Sequence, residues 1–194
     1  MIKIAISGNI ASGKSSVESI LKSFGFPVFD TDELCHNILL NSKSEILSAF
    51  DEFDILENGE ISRKKLGKLV FDNKNLKSAL ENIIHPKLKN KLEQIFSENK
   101  KEKYIFVSIP LLFEVGWAEM FDKILFVQAD DEIRLKRLMK RNNLSKEESI
   151  ARMSSQMPQN DKIEKSDFII CNNESKERLQ NEIEKVIILL EETE

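Results

Sequence analysis

The sequence predicts an α/β fold, a parallel sheet flanked by helices. Three observations lead there. Short β-branched and aromatic runs alternate with amphipathic helical stretches along the chain, the pattern of strand–helix units around a parallel sheet. Two of the runs, Ile105-Phe106-Val107 and Ile124-Leu125-Phe126-Val127, are apolar throughout, as in strands covered on both faces. The first run opens into a glycine-containing loop followed by a helix, the entrance to a strand–loop–helix unit.

The elements follow in order. Strands are expected at 2–7, 27–30, 104–109, 123–127 and 167–171. Between them helices are expected at 15–24, 33–40, 63–71, 76–84, 87–99, 132–140, 146–155 and 176–190. In the first helix Val17, Ile20, Leu21 and Phe24 recur at i, i+3, i+4 and i+7, one apolar face. His85-Pro86 is expected to close one helix and start the next, with proline in a first turn. The stretch 31–99 is far longer than one crossover needs, and it reads as a helical insertion over the strand tips, suited to a second substrate. The charged helical stretch 134–165 reads as a mobile cover.

Residues Gly8-Asn9-Ile10-Ala11-Ser12-Gly13-Lys14-Ser15 fit G-x-x-x-x-G-K-[ST], the phosphate loop of nucleotide-binding proteins. Glycines let such a backbone approach phosphate oxygens without a Cβ clash. Loop N–H groups and the helix N-terminus present positive charge to an anion. Lys14 is expected at the β- and γ-phosphates and Ser15 on Mg²⁺. Gly8, Ala11, Ser12, Gly13 and Ser16 complete the candidate ATP cradle. The plainer reading is a glycine turn before an ordinary helix, and the flanking strand and helix weigh against it. The fold expected is therefore a P-loop NTPase core, with a helical substrate-binding insertion and a lid.

Composition narrows the partners. A chain of 194 residues suits one domain with insertions. The net charge of −4 supplies no global field for nucleic acid, and no nucleic-acid partner is expected. No apolar run approaches a membrane span. Met1 leads straight into the first strand with no leader, so a soluble, cytoplasmic protein is expected. Cys35 and Cys171 lack metal-ligand spacing and read as free thiols rather than a disulfide. No apolar partner stripe is left over, and a monomer is expected.

Asp30-Thr31-Asp32 stands where the second strand ends. One carboxylate there can orient or deprotonate an attacking hydroxyl, and one can hold Mg²⁺ through water. Asp30 with Glu33 also resembles a helix-capping box. Asp32 is favoured for the chemistry and Asp30 for the cap. P-loop enzymes often carry a magnesium-binding acid on a core strand, yet the third strand carries Ser108 at that place. Asp32 is accordingly a candidate for base, metal ligand or both. After Ser108 the run Pro110-Leu111-Leu112-Phe113-Glu114 begins with a strand-ending proline. Phe113 and Glu114 either face the site or pack beneath it, and spacing favours packing. The lone His85 reads first as a cap or core group. Arg134, Arg137 and Arg141 share one helix face, with Arg152 on the next helix. They form a solvated basic face or, beside a phosphate loop, neutralise charge on the transferring group.

Taken together these pieces resemble the dephospho-coenzyme A kinase family along nearly the whole chain. The resemblance is carried by 7–15, by Phe29-Asp30-Thr31-Asp32, by Gly59-Glu60-Ile61-Ser62-Arg63, and by Leu80 to Pro86. It continues through Pro110 to Glu114, Arg137 with Arg141, Arg152 with Gln156, and Asp167 to Asn172. It implies a nucleotide core at about 1–31, 101–133 and 166–194, a helical acceptor region at about 32–100, and a lid at about 134–165. It implies transfer of the γ-phosphoryl of ATP, with Mg²⁺, to the 3′-hydroxyl of dephospho-coenzyme A. By that likeness Asp32 is the catalytic base, Lys14 sits on the phosphates, and Arg137, Arg141 and Asn172 lie near the nucleotide. His85, Pro86, Leu111, Phe113 and Glu114 line the acceptor site. The chain departs from the family's habit at Asn9 and Ala11 (often Gly), Ser16 (often Thr), Ser108 (an acid in some members), Arg134 (usually Gln) and Glu174 (usually Gly). Two rival readings remain: another small-acceptor kinase, such as a nucleoside or nucleotide kinase, and a non-catalytic nucleotide switch. Against the switch, the chain lacks a guanine-reading N-K-x-D sequence.

Overall fold

The structure, a computed structural model, describes residues 1–192. Thr193 and Glu194, the end of the expected core segment 166–194, lie outside the described residues. The chain divides into two compact units, one of 1–30 with 100–194 and one of 31–99.

The first unit is built on a five-stranded sheet. Its strands are β1 (Ile2–Ser7) and β2 (Val28–Asp30), then β5 (Tyr104–Ser108), β6 (Lys123–Gln128) and β7 (Phe168–Cys171), in the order β2-β5-β1-β6-β7. Every pairing is parallel, as expected from the sequence. β1 lies at the centre, which accounts for the complete burial of Ile4, Ala5 and Ile6. Ile6 and Asp30 both pair with Ser108, so the carboxyl ends of β1, β2 and β5 reach one level. Ligands bind at that edge in open parallel sheets.

Helices α1 (Lys14–Ser23) and α9 (Lys176–Glu192) pack together on one face of the sheet. Val17, Ile20 and Leu21 of α1 join Leu179, Ile183, Val186 and Leu190 of α9 in one core with the strands. Three of the four apolar positions read from the sequence in α1 thus form its buried face, while Phe24, at the C-cap, is 37% exposed because the helix ends there. The unit also holds α6 (Asp131–Asn142), α7 (Lys146–Ser154) and α8 (Gln159–Ile163). α7 begins in a full capping box, Ser145 with Glu148.

The second unit contains α2 (Thr31–Asn41), α3 (Lys43–Ala49), the strands β3 (Leu56–Glu57) and β4 (Glu60–Ile61), α4 (Arg63–Asp72) and α5 (Lys74–Glu98). Its core gathers Ile46, Phe50, Ile55, Ile61, Leu66 and Ile84. Asn58 and Gly59 turn β3 into β4 with φ of 52° and 79°, the positive pair a tight hairpin needs.

One expectation is overturned here. His85-Pro86 does not separate two helices: α5 is a single 25-residue helix with Pro86 inside it. Proline removes one ladder hydrogen bond and disfavours helix at the residue before it. Packing outweighs that cost. Ile84, Leu88, Leu92 and Ile95 form a buried stripe that passes straight across the proline, and α5 packs against α2, α3 and α4. Helix α3, the β3–β4 hairpin and the short α8 are further elements that the sequence reading did not contain.

Candidate active site

The loop between β1 and α1 is shaped by the want of room. A Cβ on Gly8 would lie 2.6 Å from Ser12 Oγ and 2.8 Å from the Val127 carbonyl oxygen. Gly13 has a φ of +96°, and a Cβ there would lie 1.9 Å from Asn172 Nδ2. Both glycines of the motif are therefore required by space, and Gly13 also by conformation. Ala11 adopts a positive φ of 62°, a strained choice for a residue with a side chain.

Donors from distant parts of the same unit hold the loop. The Asn172 amide donates to the Ser12 carbonyl at 2.7 Å, and Arg137 Nη1 donates to the same oxygen at 3.4 Å. Arg134 Nε donates to the Ile10 carbonyl at 3.0 Å. The Ile10 N–H donates to Gln156 Oε1 at 2.7 Å, and Asn9 Nδ2 to the Met157 carbonyl at 2.9 Å. Helix α1 then opens with no side-chain cap; the Ser16 N–H turns back to the Gly13 carbonyl at 2.9 Å, and a helix end without a side-chain cap attracts an anion. Ser15 and Ser16 stand in that first turn.

Arg134 corrects the picture of a shared exposed basic face. It is only 3% exposed, and its Nη1 donates to Asp131 at 2.8 Å. Burial pulls its pKa down and Asp131 opposes the shift; a guanidinium stays charged nonetheless. Arg137 is half-buried against the loop, while Arg141, one turn further along α6, is exposed and donates to Asn142 Oδ1.

Lys14 occupies an internal ion pair. Its Nζ lies 2.9 Å from Glu18 Oε1, one helical turn on, and also bonds the Ser108 hydroxyl. Ser108 in turn donates to Glu18 Oε1 at 2.6 Å. Glu18 is a residue the sequence reading missed, although its i+4 spacing from Lys14 is the ordinary spacing of a helical ion pair.

The turn after β5 carries Leu111, Phe113 and Glu114. Leu111 is exposed and Phe113 is half-buried. Glu114 Oε1 lies 2.7 Å from Nζ of Lys162 on α8, whose side chain is wholly buried, and accepts the Met157 N–H at 3.3 Å. Lys162 gave no sequence signal, since it looks like any lysine in a charged helix. Beside the loop an open cavity of about 820 Å³ is bounded by Asn9, Asp131, Arg134, Gln156 and Met157 among others. The structure thus brings the loop, Arg137 and Asn172 together. The other candidates belong to the 31–99 unit: Asp32 in the first turn of α2, two residues past β2, and His85 and Pro86 midway along α5.

A central strand feeding a two-glycine loop, a lysine and a helix N-terminus in a five-stranded parallel sheet define the class: a nucleotide-binding protein of the P-loop type. The dephospho-CoA kinase family model matches residues 2–177. The dephospho-CoA kinase of Listeria innocua is 38% identical over 187 residues, covering 93% of this chain and 92% of that protein. The crystal structure of TT1252 from Thermus thermophilus is 36% identical, with a TM-score of 0.88 and 97% of each chain covered. Dephospho-CoA kinase from Campylobacter jejuni is 39% identical with a TM-score of 0.73, covering 96% of this chain and 95% of that one. The chain belongs to the dephospho-CoA kinase family.

Proposed function

We propose that this protein transfers the γ-phosphoryl group of ATP to the 3′-hydroxyl of dephospho-CoA, giving CoA and ADP. The observation that carries the reading is the braced loop with its lysine at the head of an uncapped helix, in a chain whose match to the family spans nearly its full length. Such a loop binds the anion through backbone N–H groups and the helix end. Lys14 exchanges Glu18 for the β- and γ-phosphates. Arg137 and Asn172 border the nucleotide, and Arg141 neutralises charge on the transferring group, within a lid at 134–165. His85, Pro86, Leu111, Phe113 and Glu114 receive the acceptor. The protein works as a cytoplasmic monomer.

Asp32 takes the proton from the 3′-hydroxyl as its oxygen bonds to the γ-phosphorus and the bond to the bridging oxygen of ADP breaks. Positioning and charge neutralisation supply most of the acceleration in such transfers. Magnesium fits the donors present: the Ser15 hydroxyl and the carboxylates at the β2 end are hard oxygen ligands. Among the described residues no group of three His, Cys, Asp or Glu could enclose a metal ion, and magnesium characteristically binds by few protein ligands together with phosphates. When bound it neutralises phosphate charge.

The test is a product assay with purified protein, ATP and dephospho-CoA, run beside nucleosides, nucleoside monophosphates and no acceptor. CoA is the expected product. Asp32→Asn is expected to lower kcat by roughly 10²–10⁴-fold with ATP affinity unchanged. Faster transfer to a nucleoside, or acceptor-independent hydrolysis alone, refutes the assignment; near-normal turnover of the variant refutes the base.

A further inference from the structure

The geometry points to Glu18 as the acid that serves the nucleotide's divalent cation, relocated from strand β5 to helix α1. The inference deepens the kinase reading and rests on it. P-loop NTPases commonly support Mg²⁺ with a carboxylate on a core strand as well as the loop hydroxyl. In this chain the last residue of β5 is Ser108, with no acid on that strand. Yet a carboxylate is present at that spot. Glu18 reaches across from α1, and Ser108 Oγ donates to its Oε1 at 2.6 Å. Ser108 is wholly buried, Glu18 is 7% exposed, and Ser108 lies level with Asp30 at the carboxyl edge of the sheet. Serine plus glutamate delivers the same carboxylate to the strand tip that an aspartate or glutamate on the strand would deliver alone.

Charge balance gives the argument its force. A carboxylate this deeply buried needs a cation or several donors. Without nucleotide, Lys14 fills that need at 2.9 Å. When Lys14 turns to the phosphates, Glu18 keeps the Ser108 hydroxyl but loses the full positive charge. A divalent cation bound with the nucleotide would supply that charge, and Glu18 would be among the residues that hold it. Glu18 therefore alternates between two positive partners: it holds the lysine in place before binding, and it holds the metal after. On this account Glu18 is a positioning residue, and it does not touch the transferred group.

Metal affinity tests this without any acceptor, so the outcome is separate from whether dephospho-CoA is the substrate. Free Mn²⁺ is measured by electron paramagnetic resonance during titration of the protein saturated with ADP. Nucleotide binding in EDTA is measured in parallel by calorimetry. Glu18→Gln keeps size and hydrogen bonding, and it is expected to weaken Mn²⁺ binding about tenfold while leaving metal-free ADP binding equal or tighter, since Lys14 is released. Glu18→Ala with Ser108→Asp is expected to restore Mn²⁺ affinity to within about threefold of the parent protein, which a role limited to folding would not do. Unchanged Mn²⁺ affinity in Glu18→Gln overturns the proposal. So does an equal loss of ADP affinity with and without metal, because Glu18 then acts on Lys14 alone. Failure of the strand aspartate to rescue overturns it as well.

Discussion

Replacing Gly13 by alanine meets two separate penalties that one further substitution can pull apart. The first is conformational. At a φ of +96° a residue with a Cβ is disfavoured by about 1–2 kcal/mol. The second is steric. The new methyl would sit 1.9 Å from Asn172 Nδ2, so the amide must withdraw and give up its 2.7 Å bond to the Ser12 carbonyl. Asn172 is buried, and a buried polar group left without its partner costs about 1–3 kcal/mol. Gly13→Ala alone is therefore expected to destabilise the protein by about 2–5 kcal/mol. In an Asn172→Ala background the amide is already gone, and the same change costs only the conformational 1–2 kcal/mol or so. The two substitutions should be less than additive by about 1–3 kcal/mol, the mark of a shared contact. Urea unfolding followed by the fluorescence of the single tryptophan, the buried Trp117, reports on the unit that holds the loop. Costs that add to within about 0.5 kcal/mol, as independent sites do, refute the reasoning.

Two further outcomes follow from charged and ionisable groups. Glu114→Gln strands the ammonium of Lys162, whose side chain is wholly buried, and should cost about 2–4 kcal/mol; Lys162→Met leaves only the part-exposed Glu114 carboxylate and should cost less, so the reverse order in thermal melts refutes the pairing as the source. Burial, then the charges of Glu182 and Asp130, push the Cys171 thiol pKa upward. Its thiolate fraction at pH 8 is therefore below that of a free cysteine, and labelling by iodoacetamide, read at the Cys171 peptide by mass spectrometry, should rise with a midpoint above about 8.5; a midpoint at or below that value refutes the shift.

What the sequence revealed depended on how local the cause was. β1 was legible to the residue because an apolar run, a loop motif and an amphipathic helix sit within one stretch of chain. The parallel sheet was legible from apolar runs such as 105–107. Pro86 misled because proline's cost is local while the burial of the stripe that outweighs it, Ile84 to Ile95, is decided by tertiary packing. The β3–β4 hairpin had its signal in Asn58-Gly59, but strands of two residues offer no alternation to support it. In the candidate site, the glycine loop was legible from the motif. Asn172 and Gln156 were named only through the family resemblance, and that they and Arg134 brace the loop was not legible, because they meet it through the fold, across more than a hundred positions. The ion pairs of Glu18 and Lys162 likewise depend on which lysine and which glutamate the packing buries.

The bond from Asn172 to Ser12 joins residues 160 positions apart, and both neighbours of β1 are strands that begin at 104 or later. During synthesis β1 and its loop must therefore wait, without sheet partners, until residues beyond 104 are made. The loop gains this brace only after residue 172 has emerged from the ribosome, so a nascent or truncated chain ending before that point lacks the bond that fixes Ser12. Contacts of such long sequence span are also slow to form, so the loop matures late although it is synthesised well before its braces.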